Sequence, residues 1–224
     1  MTNAPYLLKK HRSGARIGHD TAYDHMFLDG LEDAYEEGRA MGTFAQDTAN
    51  DYQLTREEMD AYSIESLRRA NAAIENGAFA GEVVPVTFST RAGEVTVEHD
   101  EQPGKGKPDK IPTLRPAFAK DGTITAATSS SISDGAAAVV LTRESVAEKN
   151  GQNPVARIVA MAAHAQAPSE FTIAPVGAIN KVLENAGWSA DDVELWEVNE
   201  AFACVAMFAM RDIGIPHDKI NVNG

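Results

Sequence analysis

The last part of the chain alternates short apolar runs with amphipathic segments that end on glycine, and this restricts its fold more than any other feature. Residues 136–141 are a continuous apolar run, suited to a strand buried on both faces. Residues 144–150 read as a short helix ending at Gly151, and residues 155–162 are strand-like. Residues 175–186 form a helical pattern closed by Gly187, and 193–198 a strand. Residues 201–213 are an apolar helix ending at Gly214, and 220–222 begin another strand. Strands and helices in alternation imply a parallel or mixed sheet in a layered α/β arrangement.

The earlier part is built differently. Thr55 followed by Glu58 is a capping box, with Leu54 and Met59 at the staple positions. Ile64, Leu67, Ala70 and Ile74 continue one apolar stripe toward Gly77, so the pattern predicts a helix over 55–76. A shorter helix is expected over 23–35, ahead of Gly38. Val84, Val86 and Phe88 then alternate with polar residues, Arg91-Ala92-Gly93-Glu94 turns the chain, and Val95-Thr96-Val97 returns, which reads as a β-hairpin. Residues 98–116 are rich in Gly, Pro, Lys, Asp and Glu, an irregular stretch of the kind that is usually functional or disordered when it lies inside a domain. A domain boundary is expected near residue 120.

Composition removes several function classes. The 224 residues carry 33 acidic against 20 basic side chains, a net charge of −13, so a general nucleic-acid footprint is lacking. A lone cysteine, Cys204, forbids an intrachain disulfide and, with six scattered histidines, a cysteine-based zinc site. No run approaches the roughly 18 apolar residues of a membrane span, and the start lacks the order of a signal peptide. A cytoplasmic protein that binds neither nucleic acid nor membrane is expected, with no metal.

Four features could carry chemistry. Asn199, in Trp196-Glu197-Val198-Asn199-Glu200-Ala201-Phe202, is placed at the carboxyl end of a strand, where open α/β sheets hold ligands. A carboxamide there can orient a water or stabilise an oxyanion without titrating; alternatively Asn199 and Glu200 cap the following helix. The small and hydroxyl residues 126–138 allow a ligand to approach the backbone, or serve tight packing and a helix cap. Two basic clusters, Lys9, Lys10, Arg12 and Arg16, then Lys105, Lys107, Lys110 and Arg115, reverse the overall sign locally, as a nucleotide-bearing ligand needs; a solvated face or oligomer contact explains them as well. Met41-Gly42 with Phe44, and residues 114–118, could line an apolar tube or simply belong to the core. Cys204 lies on an apolar helix, where burial raises a thiol pKa and leaves it inert. There is no G-x-S-x-G, P-loop, G-x-G-x-x-G or H-E-x-x-H.

Asn199-Glu200-Ala201-Phe202-Ala203 opens a wider likeness. Together with Asn3-Ala4-Pro5-Tyr6, Met41-Gly42-Thr43, Leu114-Arg115-Pro116-Ala117-Phe118, Asp121-Gly122-Thr123-Ile124-Thr125-Ala126, Asp134-Gly135-Ala136-Ala137-Ala138 and Ile220-Asn221-Val222-Asn223-Gly224, it resembles the middle of the thiolases, in the acetyl-CoA acetyltransferase branch. The resemblance implies a partial, layered α/β thiolase-like fold with an inserted α+β loop domain. Residues 1–120 correspond to that substrate-covering loop domain, 121–152 to the tail of the N-terminal half, and 153–224 to the first part of the C-terminal half.

It also implies acyl transfer to CoA by thiolysis or Claisen condensation of acetoacetyl-CoA or another 3-oxoacyl-CoA. Coenzyme A is then a substrate, with no covalently bound cofactor. The expected assembly is a homodimer or homotetramer, associating through the basic stretch 9–17. Asn199 resembles the asparagine that positions an oxyanion-hole water. Met41, Phe118, Ala126, Ser130, Ala201 and Phe202 resemble residues around pantetheine and the acyl group, while Lys105 and Lys107 fall near the nucleotide part of CoA. The family's nucleophilic cysteine, Gly-His-Pro histidine and second cysteine have no counterpart here, so the chain alone is expected to be inactive, or to be a non-catalytic acyl-CoA-binding or assembly module. Ala40 stands where many thiolases carry histidine, which implies a different branch or a shifted acyl preference.

Overall fold

The computed structural model describes residues 2–224. Its helices are α1 (Met41–Asp51), α2 (Arg56–Glu75), α3 (Glu144–Lys149), α4 (Ala174–Ala186) and α5 (Ala203–Ile213). Two antiparallel ribbons accompany them: β1 (Tyr6–Leu7) with β2 (Tyr23–Asp24), and β3 (Val86–Thr90) with β4 (Gly93–Val97).

Helix α5 is the centre of the core. Ala203, Cys204, Val205, Ala206, Phe208 and Ala209 are all buried. Ala45 and Ala49 of α1, Met59 and Tyr62 of α2, and Trp196, Val198, Ile215 and Ile220 pack in the same cluster, with Ile179 and Leu183 of α4 against its edge. The Tyr52 ring lies 4.4 Å from that of Phe208.

Helix α2 follows from its first turn. The Thr55 hydroxyl accepts the Glu58 amide at 3.2 Å and the Glu58 carboxylate accepts the Thr55 amide at 2.8 Å, so two otherwise orphaned donors are satisfied. At the other ends of α4 and α5, Gly187 and Gly214 adopt φ of 71° and 81°, the left-handed caps their positions predicted. The hairpin forms as expected, closed by a tighter turn in which Thr90 faces Gly93.

Several local expectations fail. Residues 23–35 are not an α-helix: β2 is followed by one π-helical turn, Phe27–Leu31. Aspartates take the backbone donors there, Asp24 accepting the Met26 amide and Asp33 the amides of Tyr35 and Glu36. Helix α1 carries no capping side chain and was not foreseen; burial of Phe44, Ala45, Gln46, Thr48 and Ala49 holds it. Residues 98–116 contain two 3₁₀ turns, Pro103–Lys105 and Pro108–Thr113.

The largest departures concern strands. Residues 136–141 enter no ladder, and Val139, Val140 and Leu141 are 83%, 94% and 72% exposed. Residues 155–162 are likewise unpaired; Arg157 pairs with Glu144, and at the far end Asn185 and Lys181 of α4 donate to the carbonyls of Met161 and the following Ala163. Both runs have a strand's composition, but among the described residues no neighbouring strand supplies the partner amides and carbonyls. Residues 193–198 and 220–222 meet in a single parallel step, Trp196 beside Ile220. The class is mixed helix and sheet, with helices dominating the packed part.

Candidate functional site

The single parallel step aims the Asn199 loop. The Trp196 amide donates to the Lys219 carbonyl at 2.8 Å, and the Asn221 amide to the Trp196 carbonyl at 2.9 Å. The chain then leaves the step as an irregular loop, and α5 begins at Ala203 with Phe202 as its N-cap and no capping side chain. Neither Asn199 nor Glu200 therefore caps the helix. Asn199 is exposed.

Glu200 turns the other way. Its carboxylate accepts from the Tyr62 hydroxyl, the Ser66 hydroxyl and the Asn221 side-chain amide, each at 2.7 Å. Asn221 is buried with φ of 46°, a left-handed conformation that asparagine tolerates better than most residues. Its Oδ1 accepts the Val198 amide and its Nδ2 donates to the Val198 carbonyl, both at 2.8 Å. Burial, reinforced by the charge of Glu200, pushes the Tyr62 phenol well above its ordinary pKa, so it remains a donor. Desolvation and the nearby Glu200 also raise the Glu197 carboxyl. None of Tyr62, Ser66 or Asn221 was singled out as a site residue from sequence. The available signal was a pair of polar residues, Tyr62 and Ser66, four apart and so on one face of α2.

The hydroxyl run lies beside this loop. The Ser130 amide donates to the Ala201 carbonyl at 3.0 Å and its hydroxyl to the Glu200 carbonyl, while Ser129 bridges Phe202. Phe202 meets Phe118 edge-on at 5.9 Å and Phe171 at 6.3 Å. Phe118 packs against the first turn of α1, where a Cβ added at Gly42 would stand 2.2 Å from the ring. Only glycine permits that contact. Met41, the half-buried first residue of α1, adjoins it. Ser130, Ala201, Phe202 and Phe118 thus form one continuous wall. Ala126 is exposed at the start of a 3₁₀ turn, and its neighbour Ala127 faces the adjoining cleft instead.

That cleft, of about 570 Å³, runs between α2 and the 3₁₀ turns of 103–113. Lys105, Lys107 and Lys110 line one side; Ser130, Ser131 and Glu200 line another, with Leu67, Ile111 and Leu114 between. Three ammonium groups beside a small-walled, partly apolar trough are suited to an elongated ligand with an anionic end. Lys105, Lys107 and Ser130 therefore share this cleft, whereas Met41, Phe118 and Phe202 belong to the aromatic wall next to it. A second hollow, about 790 Å³, lies between residues 139–147 and 152–158, and no candidate residue reaches it. In the other basic cluster, Lys9 pairs with Glu37 at 3.1 Å and sits 4.1 Å over the Tyr23 ring.

Cys204 has the inert character expected of it. It is fully buried, and desolvation pushes its thiol up to about 12. Among the described residues no cluster of three His, Cys, Asp or Glu side chains is able to hold a metal, and no helix is long and apolar enough to cross a membrane.

Comparison with known proteins places the arrangement. Residues 1–145 match the family model "Thiolase, N-terminal domain" and residues 152–224 match "Thiolase, C-terminal domain". The chain is 46% identical to a probable acetyl-CoA acetyltransferase of Dictyostelium discoideum and 43% to an acetyl-CoA acetyltransferase of Yarrowia lipolytica. Each match covers 100% of this chain, and 54% and 55% of those proteins. The fold agrees with the crystal structure of the Bacillus anthracis acetyl-CoA acetyltransferase (TM-score 0.92, 38% identity, 98% of this chain and 56% of that one). It agrees equally with Acat5 thiolase from Ascaris suum in complex with coenzyme A (TM-score 0.91, 38% identity, 100% and 56%). The chain spans about half the length of the curated relatives it matches. On sequence and fold together, it belongs to the thiolase family.

Proposed function

We propose that this chain forms the CoA-binding part of an acetyl-CoA acetyltransferase, acting on acetoacetyl-CoA or another 3-oxoacyl-CoA. The observation that carries the reading is the seam between Ser130 and residues 200–202, which joins the lysine-lined cleft to the aromatic wall and the Asn199 loop. In this reading Lys105 and Lys107 hold the phosphates of CoA, and pantetheine passes Ser130 and Ala126. Met41, Phe118, Ala201 and Phe202 surround the acyl group. Asn199 orients a water toward the thioester oxygen as negative charge develops there.

The attacking thiolate must come from a cysteine other than Cys204, which is buried and held protonated. That same observation favours a second reading, a non-catalytic acyl-CoA-binding or assembly module. We place the loop domain at 1–120, the tail of the N-terminal half at 121–152 and the opening of the C-terminal half at 153–224. The protein acts in the cytoplasm as a homodimer or homotetramer.

Titration of CoA into the purified chain, with acetoacetyl-CoA thiolysis assayed on the same sample at verified intact mass, tests the reading. Saturable binding that Lys105→Glu with Lys107→Glu weakens at least several-fold supports the cleft assignment. Absence of CoA binding overturns both readings. Turnover by the chain alone overturns the placement of the nucleophile outside it.

A further inference from the structure

Asn199 is the one residue of 198–200 that the surrounding fold does not grip. It is exposed, and its carboxamide has no hydrogen-bond partner among the described residues. Its two neighbours are held unusually firmly. Both backbone groups of Val198 bond to the single amide of Asn221, and the Glu200 carboxylate collects three donors, one of them that same amide. The turn carrying Asn221 is pinned in its own right: the Arg69 guanidinium donates to the carbonyls of Ile220 at 2.7 Å and His217 at 3.0 Å, and the His217 ring stacks on Tyr62. Tyr62, Ser66 and Arg69 follow one another at four and three residues, so one face of α2 is given over to this attachment.

From this geometry we infer that Asn221 is a positioning residue. With Tyr62 and Glu200 it clamps the backbone on either side of Asn199, so that the exposed carboxamide is presented from a fixed backbone position. The inference rests on the acyl-transfer role given above to Asn199. Neither glycine nor aspartate replaces asparagine at position 221. Glycine supplies the left-handed backbone but no amide. Aspartate supplies the acceptor for Val198 but no donor, and sets a second carboxylate against Glu200. A preorganised oxyanion partner loses effect when displaced by a fraction of an ångström, and this is the quantity the clamp controls.

The test uses Asn221→Gly and the milder Tyr62→Phe, which keeps the ring packing. In the 224-residue chain, amide exchange followed residue by residue should show Val198 exchanging about tenfold faster in Asn221→Gly, with Phe208 and Ala209 within about twofold of wild type. In the catalytically complete protein, containing this chain and the segment or partner that supplies the nucleophile, kcat for acetoacetyl-CoA thiolysis should fall about 10–100-fold while KM for CoA changes by less than about twofold. Tyr62→Phe should move both readouts the same way by less. Unchanged exchange at Val198, or a uniform rise that includes Phe208, overturns the clamp. Unchanged kcat, or kcat and KM changing together, overturns the positioning role. A complete wild-type protein with no thiolysis overturns the proposed function and the catalytic end of this inference, while Val198 exchange reports on the clamp independently.

Discussion

Helix α5 and residues 136–141 are made of much the same material, alanines with valine and other apolar side chains, yet they stand at opposite extremes of this molecule. In α5, Cys204, Ala206, Phe208 and Ala209 are fully buried; in the other segment Val140 is 94% exposed. The difference lies in where backbone hydrogen bonds are made. A helix closes its own bonds within the segment and needs only a surface for its apolar face. A strand's donors and acceptors are satisfied by another strand, so an apolar run without a neighbour has composition but no structure to enter. The same contrast separates α2, complete with its caps, from residues 155–162.

Substitution at the two extremes should separate them sharply. Phe208→Ala removes a large ring from the centre of the core and should cost about 3–5 kcal/mol, read as a lowered denaturant midpoint. Loss of less than about 1 kcal/mol would mean the α5 core is far looser in solution than its burial implies. At the start of α2, Thr55→Ala removes one half of the capping box and should cost about 0.5–2 kcal/mol, with Thr55→Ser largely restoring it.

Acid provides a test that leaves the chain unmutated. Burial, aided by the Arg69 guanidinium, holds the His217 pKa below its ordinary value. The unfolded chain therefore takes up this proton first, and stability should fall as pH drops below about 6.5, levelling off below the folded-state pKa. His217→Gln should flatten that part of the stability–pH curve. Smallest of all, Val140→Asp in the 224-residue chain should change stability by no more than about 0.5 kcal/mol, as expected at an exposed, unpaired position. A cost above about 2 kcal/mol there would show that this run finds a strand partner in solution and would break the comparison.

Legibility followed the same line. The capping box at Thr55, the hairpin about Arg91 and the glycine ends at 187 and 214 were readable because each is specified within a few residues. Helix α1 was not, since it lacks a cap and is held by burial of Phe44 and Ala45 against distant parts of the chain. The supposed helix over 23–35 failed because Asp24 and Asp33 compete for the amides it would need. At the candidate site, the motif around Asn199 and the lysines at 105 and 107 could be picked out one by one. That Ser130 pairs with Ala201, or that Glu200 faces Tyr62 rather than capping α5, could not, because those partners are 71 and 138 positions apart.

The sequence by itself therefore determined the family, the helices that cap and stripe themselves, and the residue types available for binding. Tertiary structure alone decided which apolar runs are core and which stay open, and that Asn221 grips Val198 and Glu200. The physical reason is common to both. Helix ends and tight turns are settled by groups a few residues apart, whereas strand pairing, burial and a buried amide's partners depend on groups that only the folded chain brings within 3 Å of one another.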